Sequence, residues 1–230
     1  MLFFSDSTGL EICFFSPLAL TLQKRIGVMI KYQIPTWLQK CYTGVTWRKN
    51  ADQKVLYITF DDGCVPEVTP QVLKILKEKQ VKATFFCVGD NVRKYPQLFE
   101  FIKSEGHQVG NHTHNHLKGT QTPLNKYWDN IQEANQLIDS HLFRPPYGKM
   151  TWRQKRYIRK HYEIVLWDVL TNDFDATVTV EELILHTTHH TRNGSIIVFH
   201  DSIKAAERML NALPILIETW KQQGYTFERL

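Results

Sequence analysis

The sequence VLYITFDDG, at residues 55–63, passes directly from a β-rich apolar run into two adjacent carboxylates. Valine, isoleucine, tyrosine and phenylalanine favour extended backbone, so we expect a strand over 55–60. Residues 69–79 then repeat apolar side chains at helical spacing, and residues 83–88 form a continuous apolar run typical of a strand buried on both faces. These segments begin an alternation of strand and helix.

The alternation continues to the C-terminus. We expect further strands at 108–110, 142–143, 163–169, 195–200 and 225–228. We expect further helices at 91–104, 123–140, 151–161, 180–191 and 205–223. About seven strands, each separated from the next by a helix or a long loop, predict an α/β fold with a parallel sheet under helical cover.

Composition narrows the class of protein. The 230 residues, 43% hydrophobic and 22% charged, suit one globular domain with a substantial core. The net charge of +5 is modest and no basic block with interleaved aromatics occurs, so we expect no nucleic-acid partner. The cysteines, Cys13, Cys41, Cys64 and Cys87, form no C-x-x-C pair, and we expect neither a disulfide framework nor a zinc ribbon.

The N-terminus contains an apolar stretch at 10–22 that is too short to span a bilayer and is interrupted by Glu11 and Pro17. Lys24 and Arg25 follow this stretch, whereas a signal peptide carries its basic residues before the apolar run. We therefore expect neither a cleavable signal nor a membrane span, which favours a cytoplasmic location.

The sequence changes character at Met29. One hypothesis is that translation starts there and that residues 1–28 lie upstream of the true start. We interpret residues 1–54 as an N-terminal extension and lead-in, and residues 55–230 as the single main domain.

The first polar cluster, Asp61-Asp62, directly follows the predicted strand. Adjacent residues on a strand point to opposite faces, so the carboxylates diverge unless the chain turns, and Gly63 permits such a turn. One carboxylate can then bind a metal while the other stays free as a base. The alternative is an exposed turn or a cap for the following helix.

His112 and His116 are four residues apart, so one helical turn would place both imidazoles on the same face. His114 would then point away, either supporting the pair or exposed. Two imidazoles and a carboxylate can hold a divalent ion and leave a position open for water. The alternative is a polar surface loop, whereas a structural zinc site is disfavoured because no cysteine lies close in sequence.

The sequence RPPYG, at residues 144–148, places a permanent charge before a rigid stretch. Because proline has no N–H, Tyr147 carries the first free backbone donor, and a fixed donor suits an oxyanion. A stiff connecting loop is the alternative.

His200 ends an apolar strand near the C-terminus. Asp168 and Asp173 follow the strand predicted before it, and one of them could orient His200 as a catalytic histidine. The alternative is a core histidine with satisfied hydrogen bonds and two carboxylates in a surface loop.

These polar residues all follow predicted strands, and in an α/β barrel the active site forms at the carboxyl ends of the strands. Two adjacent carboxylates, a His-x-x-x-His pair and a lone histidine are the components of a metal-assisted hydrolase. One carboxylate and two imidazoles bind the ion, and the remaining carboxylate and histidine act as base and acid.

Together these segments resemble the polysaccharide deacetylases of carbohydrate esterase family 4, the NodB-like group, over residues 55–230. The motifs that carry the resemblance are TFDDG at 59–63, HTHNH at 112–116, RPPYG at 144–148 and IIVFH at 196–200. The resemblance implies a distorted (β/α) barrel of about seven parallel strands in a single catalytic domain.

By this resemblance, Asp62, His112 and His116 bind the metal, which is usually zinc, although cobalt, nickel or manganese can substitute. Asp61 is the catalytic base, and Arg144 pairs with it and holds it ionised.

The same resemblance makes His200 the catalytic acid and Asp173 the residue that orients it. The Tyr147 amide would help the metal to stabilise the oxyanion.

Two positions depart from the family pattern. The first motif is usually followed by proline, where this chain has Cys64, which we interpret as a small filler. The fourth motif usually ends Asp-Trp, where this chain has Asp173-Phe174. That tryptophan helps to wall the acetyl-methyl pocket, and Phe174 and Val198 would wall it less completely, with Pro146 also lining the pocket. The sequence therefore does not determine which acyl group is preferred.

The resemblance implies a metal-dependent amidohydrolase that removes acetyl from N-acetylglucosamine-type sugars, either chitooligosaccharides or peptidoglycan-like chains, and leaves acetate and an amino sugar. Three alternatives stay open: an O-acetyl esterase acting on acetylated xylan, a deformylase of lipid-linked sugars, and a catalytically silent carbohydrate-binding protein. The sequence does not indicate an oligomeric state.

Overall fold

The structure is a computed structural model that describes residues 32–230. The predictions about the apolar stretch at 10–22 and about Met29 lie outside these residues. Within the described range, no helix is both long enough and apolar enough to cross a membrane.

The described chain alternates between short strands and helices. The strands are β1 Val55–Asp61, β2 Thr84–Cys87, β3 Gln108–Asn111, β4 Leu142–Phe143, β5 Glu163–Ile164, β6 Val169–Leu170, β7 Ile196–His200 and β8 Thr226–Phe227. The α-helices are α1 Thr36–Cys41, α2 Thr69–Glu78, α3 Gly89–Lys94, α4 Pro96–Ser104, α5 Leu124–Ile138, α6 Trp152–Ile158, α7 Val180–His190 and α8 Ala206–Gln222. Single 3-10 turns lie at Gly119–Gln121 and Pro146–Gly148.

The strands form one parallel sheet in the order β5-β4-β3-β2-β1-β7-β6, and β8 pairs with one end of β1. Seven flat strands at about 4.8 Å spacing would separate the outermost two by about 29 Å. The five Cα steps from Ile164 in β5 to Val169 in β6 can reach only about 19 Å. The sheet must therefore curl, and the predicted distorted barrel of parallel strands in a single domain is confirmed.

The single strand predicted over 163–169 is wrong. Its first part, β5, pairs with β4 at one edge of the sheet, and its last part, β6, pairs with β7 at the other edge. Residues 165–168 between them cross from one edge to the other. Local sequence shows one apolar run, but its two ends pair with different strands, β4 and β7, and form opposite edges of the sheet.

The lead-in to β1 lies along the seam between the two edges. Isolated bridges join Gln33 to Val169, Thr46 to Val165 and Arg48 to Ser195. At this seam the buried carboxylate of Asp168 is the shared hydrogen-bond acceptor. It accepts from Gln39 at 2.7 Å, from Ser195 at 2.8 Å and from the Arg192 guanidinium at 2.5 and 2.9 Å. Residues 33–48 are thus packed against the barrel, while the domain boundary at residue 55 stays a prediction.

The helix predicted over 91–104 is divided into α3 and α4 at Tyr95. Pro96 explains the break, because proline has no N–H to donate and disfavours helical backbone in the residue before it. Tyr95 accordingly has φ of −127°.

Alternation along β1 separates a helix-facing side from a barrel-facing side. Leu56, Ile58 and Phe60 belong to the apolar cluster that packs against the helices. Thr59 and Asp61 lie on the opposite, interior side. The parallel register pairs Thr59 with Val198 and Asp61 with His200 on β7, so four polar or pocket residues share the interior at one end of the barrel.

Candidate active site

Backbone at Asp62 turns the chain as β1 ends. Asp62 has φ of 83°, in the left-handed region, so its carboxylate does not continue the strand alternation away from Asp61. We predicted that Gly63 would supply this turn, but the positive φ lies one residue earlier. Gly63 is required for a different reason, since a Cβ there would lie 2.5 Å from the Asp201 carboxylate.

The Asp62 carboxylate meets the two imidazoles of the His-x-x-x-His segment. Asp62 Oδ1 lies 3.3 Å from His116 Nε2 and 3.9 Å from His112 Nε2. One ligand atom from each of the three residues lies within 4.8 Å of the others. The structure therefore brings the three predicted metal ligands together.

The segment 112–116 reaches this arrangement without a helix. Thr113 and His116 have positive φ of 64° and 54°, and the segment forms a loop after β3. The predicted helical turn is therefore wrong, although the centroids of the His112 and His116 rings still lie 5.1 Å apart. His114 is buried and its Nε2 lies 3.3 Å from Glu133, so it points away from the cluster but is not exposed.

Hydrogen bonding prepares His112 as a ligand. Its Nδ1 lies 2.8 Å from the Arg144 carbonyl oxygen, which can only accept, so Nδ1 carries the proton and Nε2 presents a lone pair to the cluster. Burial, despite the nearby Asp61 carboxylate, lowers the pKa of His112 to about 4 and keeps the ring neutral. Burial favours a higher pKa for Asp62, but the His116 hydrogen bond and nearby imidazoles hold it at about 2. One carboxylate and two imidazoles are a donor set that fits a divalent ion.

The second carboxylate, Asp61, is held from inside the barrel by Arg144. The guanidinium donates to Asp61 Oδ1 at 2.7 Å and to Thr59 Oγ1 at 2.7 Å. It is fully buried and lies 4.0 Å from the centre of the Phe86 ring. Asp61 Oδ2 is left facing His112 Nε2 at 3.9 Å, so Arg144 anchors one oxygen and the other faces the Asp62–His112–His116 cluster.

On the neighbouring strand, His200 is held by Asp173. The imidazole Nδ1 and the His200 backbone amide each lie 2.7 Å from one of the Asp173 carboxylate oxygens. Burial acts to lower the pKa of His200, but the charge and hydrogen bond of Asp173 raise it to about 9. Asp168 at the seam and Asp201 beside Gly63 have other partners.

The RPPYG segment and Phe174 form two sides of the site. Tyr147 has φ of 60° and is 59% exposed, and its ring makes a T-shaped contact with the His116 ring at 4.8 Å between centroids. The Phe174 ring meets His200 at 5.0 Å in a T-shaped contact. Pro146 and Val198 are both buried, and Val198 lies two residues before His200 on the interior side of β7.

Cys64, in the position where the family usually has proline, is fully buried and in hydrogen-bonding contact with the buried thiol of Cys87. Both are free cysteines, as is Cys41, and Cys13 lies outside the described residues. The observation is compatible with Cys64 as a small filler.

A groove of about 340 Å³ opens beside Asp62 and His116. Asn91 lines it, and its side-chain amide donates to the Asp62 carbonyl at 2.8 Å. Sequence reasoning missed Asn91, because a contact between residues 29 positions apart leaves no local pattern. Asp201 was likewise not singled out, although its position next to His200 was the available signal.

Comparison with known proteins agrees with this geometry. A family model described as polysaccharide deacetylase matches residues 48–164. The chain is 33% identical to a peptidoglycan-N-acetylglucosamine deacetylase of Bacillus cereus, over 80% of this chain and 89% of that protein. It is 34% identical to a chitooligosaccharide deacetylase of Azorhizobium caulinodans, over 81% of this chain and 98% of that protein.

Among solved structures, the Bc1960 peptidoglycan N-acetylglucosamine deacetylase, crystallised with 4-naphthalen-1-yl-N-oxidanyl-benzamide, is similar with a TM-score of 0.79 and 28% identity. The match covers 86% of this chain and 95% of that chain. The chain therefore belongs to the polysaccharide deacetylase family, the NodB-like group of carbohydrate esterase family 4, and is a hydrolase of carbon–nitrogen bonds.

Proposed function

We propose that this deacetylase is metal-dependent and removes the N-acetyl group from N-acetylglucosamine-type sugars, in chitooligosaccharides or in peptidoglycan-like chains. One observation carries the proposal. Asp61, which pairs with Arg144, and His200, which pairs with Asp173, are register partners on the adjacent strands β1 and β7, and Asp61 lies beside the Asp62–His112–His116 cluster. The substrates of the Bacillus cereus and Azorhizobium caulinodans relatives support the choice of sugar.

Zinc suits the donor set best, because a carboxylate and two imidazoles leave one position of a tetrahedron open. Cobalt, nickel or manganese could replace it. Asp62, His112 and His116 would hold the ion, which would act as a Lewis acid toward the acetamide carbonyl and would lower the pKa of bound water.

The chain's own residues then move the protons. Asp61 accepts the proton of the attacking water through Oδ2, because Arg144 occupies Oδ1. The Tyr147 amide donates to the oxygen that becomes negatively charged as the carbonyl is attacked. His200, kept protonated by Asp173, gives its proton to the leaving nitrogen. The amide C–N bond breaks, a C–O bond forms, and the products are acetate and the free amino sugar.

A panel of substrates tests the proposal. The purified protein with added Zn²⁺ would be incubated separately with chitooligosaccharides, peptidoglycan and acetylated xylan, and acetate would be measured. Asp61→Asn protein serves as the matched control. We expect acetate from the N-acetylated substrates and none from xylan. Release from xylan only would instead identify an O-acetyl esterase, and no release from any would support a silent carbohydrate-binding protein.

A further inference from the structure

Residues 61–65, which comprise the last residue of β1 and the loop that follows it, carry both carboxylates of the proposed site. Their consecutive carbonyls accept hydrogen bonds from outside the loop. The Asp201 amide donates to the Asp61 carbonyl at 3.1 Å, and Asn91 Nδ2 donates to the Asp62 carbonyl at 2.8 Å. The Val88 amide donates to the Gly63 carbonyl at 2.8 Å. The loop backbone is thus anchored on three neighbouring segments.

Anchoring matters because of the conformation of Asp62. Its φ of 83° is sterically disfavoured for a residue with a Cβ. Such a backbone persists only where its surroundings determine it. The contacts that hold this loop therefore also aim the Asp62 carboxylate at His112 and His116.

The carboxyl group of Asp201 lies directly behind the loop and is fully buried. Thr69 Oγ1 donates to Asp201 Oδ2 at 2.5 Å and accepts from the Val65 amide at 2.9 Å. The Gly63 amide also contacts the carboxyl group. Asp201 therefore holds the start of the loop through its backbone, the middle through Gly63, and the end through Thr69.

Packing makes this connection tight. A Cβ at Gly63 would lie 2.5 Å from Asp201 Oδ2 and 3.0 Å from Oδ1, so the carboxyl group rests on bare backbone. A change in the side chain at residue 201 therefore alters the packing against Gly63, the residue next to Asp62. The Asp201 side chain contacts the loop and Thr69, and it acts on the site through these contacts.

We propose that Asp201 is a positioning residue of the metal site, which through Thr69 and the Gly63 backbone holds Asp62 in its ion-binding conformation. The inference rests on the metal dependence proposed above. Residues that orient metal ligands from outside typically change metal affinity by about 10- to 100-fold when mutated.

Two pairs of variants distinguish a positioning role of Asp201 from effects of side-chain volume and charge. Asp201→Ala removes the acceptor, whereas Asp201→Asn keeps an oxygen for Thr69. Burial raises the pKa of Asp201 to about 8, so the neutral acid predominates at pH 7 and asparagine also matches its charge. Thr69→Val removes the hydroxyl at nearly constant volume, whereas Thr69→Ser keeps it.

The measurement is Zn²⁺ affinity of the metal-free protein, by competition with a chromophoric chelator, well below the unfolding temperature. We expect Asp201→Ala and Thr69→Val to bind Zn²⁺ about 10- to 100-fold more weakly than the wild type. Asp201→Asn and Thr69→Ser should stay within about threefold, as conservative rescues of the same contacts.

Asp168→Ala is the matched control, because Asp168 is an equally buried aspartate at the seam. It should lower the melting temperature but leave Zn²⁺ affinity unchanged. If the wild type binds Zn²⁺ tightly and Asp201→Ala and Thr69→Val bind it equally tightly, this inference is overturned, whereas the proposed function is not. No binding of Zn²⁺ by the wild type would overturn both. Thr69→Val still tests the inference where Asp201→Ala does not fold.

Discussion

His200 and Asp173 are joined by two hydrogen bonds of 2.7 Å, one from the imidazole Nδ1 and one from the histidine backbone amide. The two contacts engage both carboxylate oxygens, so they fix the position of the imidazole as well as its charge. Because Asp173 stabilises the imidazolium, the pKa of His200 is raised to about 9 against the effect of burial.

Asp173→Asn should therefore change the dependence of turnover on pH. An acid works only when it is protonated, so activity should fall as pH rises through the pKa of His200, near 9. Removing the negative charge lowers that pKa, and the basic limb of kcat against pH should move down by about one unit or more. Asp168→Asn is the control and should leave the limb in place. An unmoved limb in Asp173→Asn would mean that another residue sets the charge of His200.

Asp61→Asn and Asp62→Asn should separate base from ligand. Asp61→Asn should lower turnover by about 100- to 10,000-fold yet retain metal, because the proposed ligand is its neighbour. Asp62→Asn should lose most of the metal, since it removes the carboxylate 3.3 Å from His116 Nε2. Metal analysis of both proteins after dialysis checks this. Loss of metal by Asp61→Asn together with retention by Asp62→Asn would show that the roles are reversed.

Phe174→Trp should narrow the range of acyl groups that the enzyme accepts. The Phe174 ring makes a T-shaped contact with the His200 ring at 5.0 Å between centroids, and the larger indole would fill more of the space where an acyl chain extends. We expect propionyl release to fall more than acetyl release. Rates on matched N-acetyl and N-propionyl chitooligosaccharides give the comparison, and equal losses on both would contradict the proposed wall.

Deleting residues 1–54 should destabilise the barrel, because the deleted lead-in supplies Gln39 and the bridges of Thr46 and Arg48 at the seam. Leaving a buried group without its hydrogen-bond partner costs about 1–3 kcal/mol of unfolding free energy, which lowers the melting temperature of a domain of this size by about 2–12 °C. A chain starting at residue 32 retains these seam contacts and is the control. Equal melting temperatures in calorimetry would show that the seam contributes no stability.

The strongest local patterns predicted the barrel well. The apolar runs of β1, β2 and β7 are buried along nearly their whole length, so their sequence carries the signal directly. The split of 163–169 was not predictable in this way, because it depends on which strands its two ends pair with, β4 for one end and β7 for the other. The break at Pro96, by contrast, was visible in the sequence and was overlooked.

For the candidate site, the sequence predicted which candidate ligands lie close together, but not the backbone geometry that brings them there. Asp62, His112 and His116 do come together, but through left-handed backbone at Asp62 and His116 rather than through a helical turn. Positive φ in a residue with a Cβ is set by tertiary contacts, such as the Asn91 hydrogen bond to the Asp62 carbonyl. No sequence periodicity reports such contacts.

The most direct test of the central claim is a Zn²⁺ titration of deacetylation. Protein stripped with a chelator would receive increasing Zn²⁺, and acetate release from a chitooligosaccharide would be measured at each point. We predict negligible release without metal and a rise to a plateau at about one ion per chain, as a single three-residue site requires. The His112→Ala, His116→Ala double variant should stay inactive throughout. Full acetate release by the stripped protein, or by the double variant, would contradict a metal-dependent deacetylase at this site.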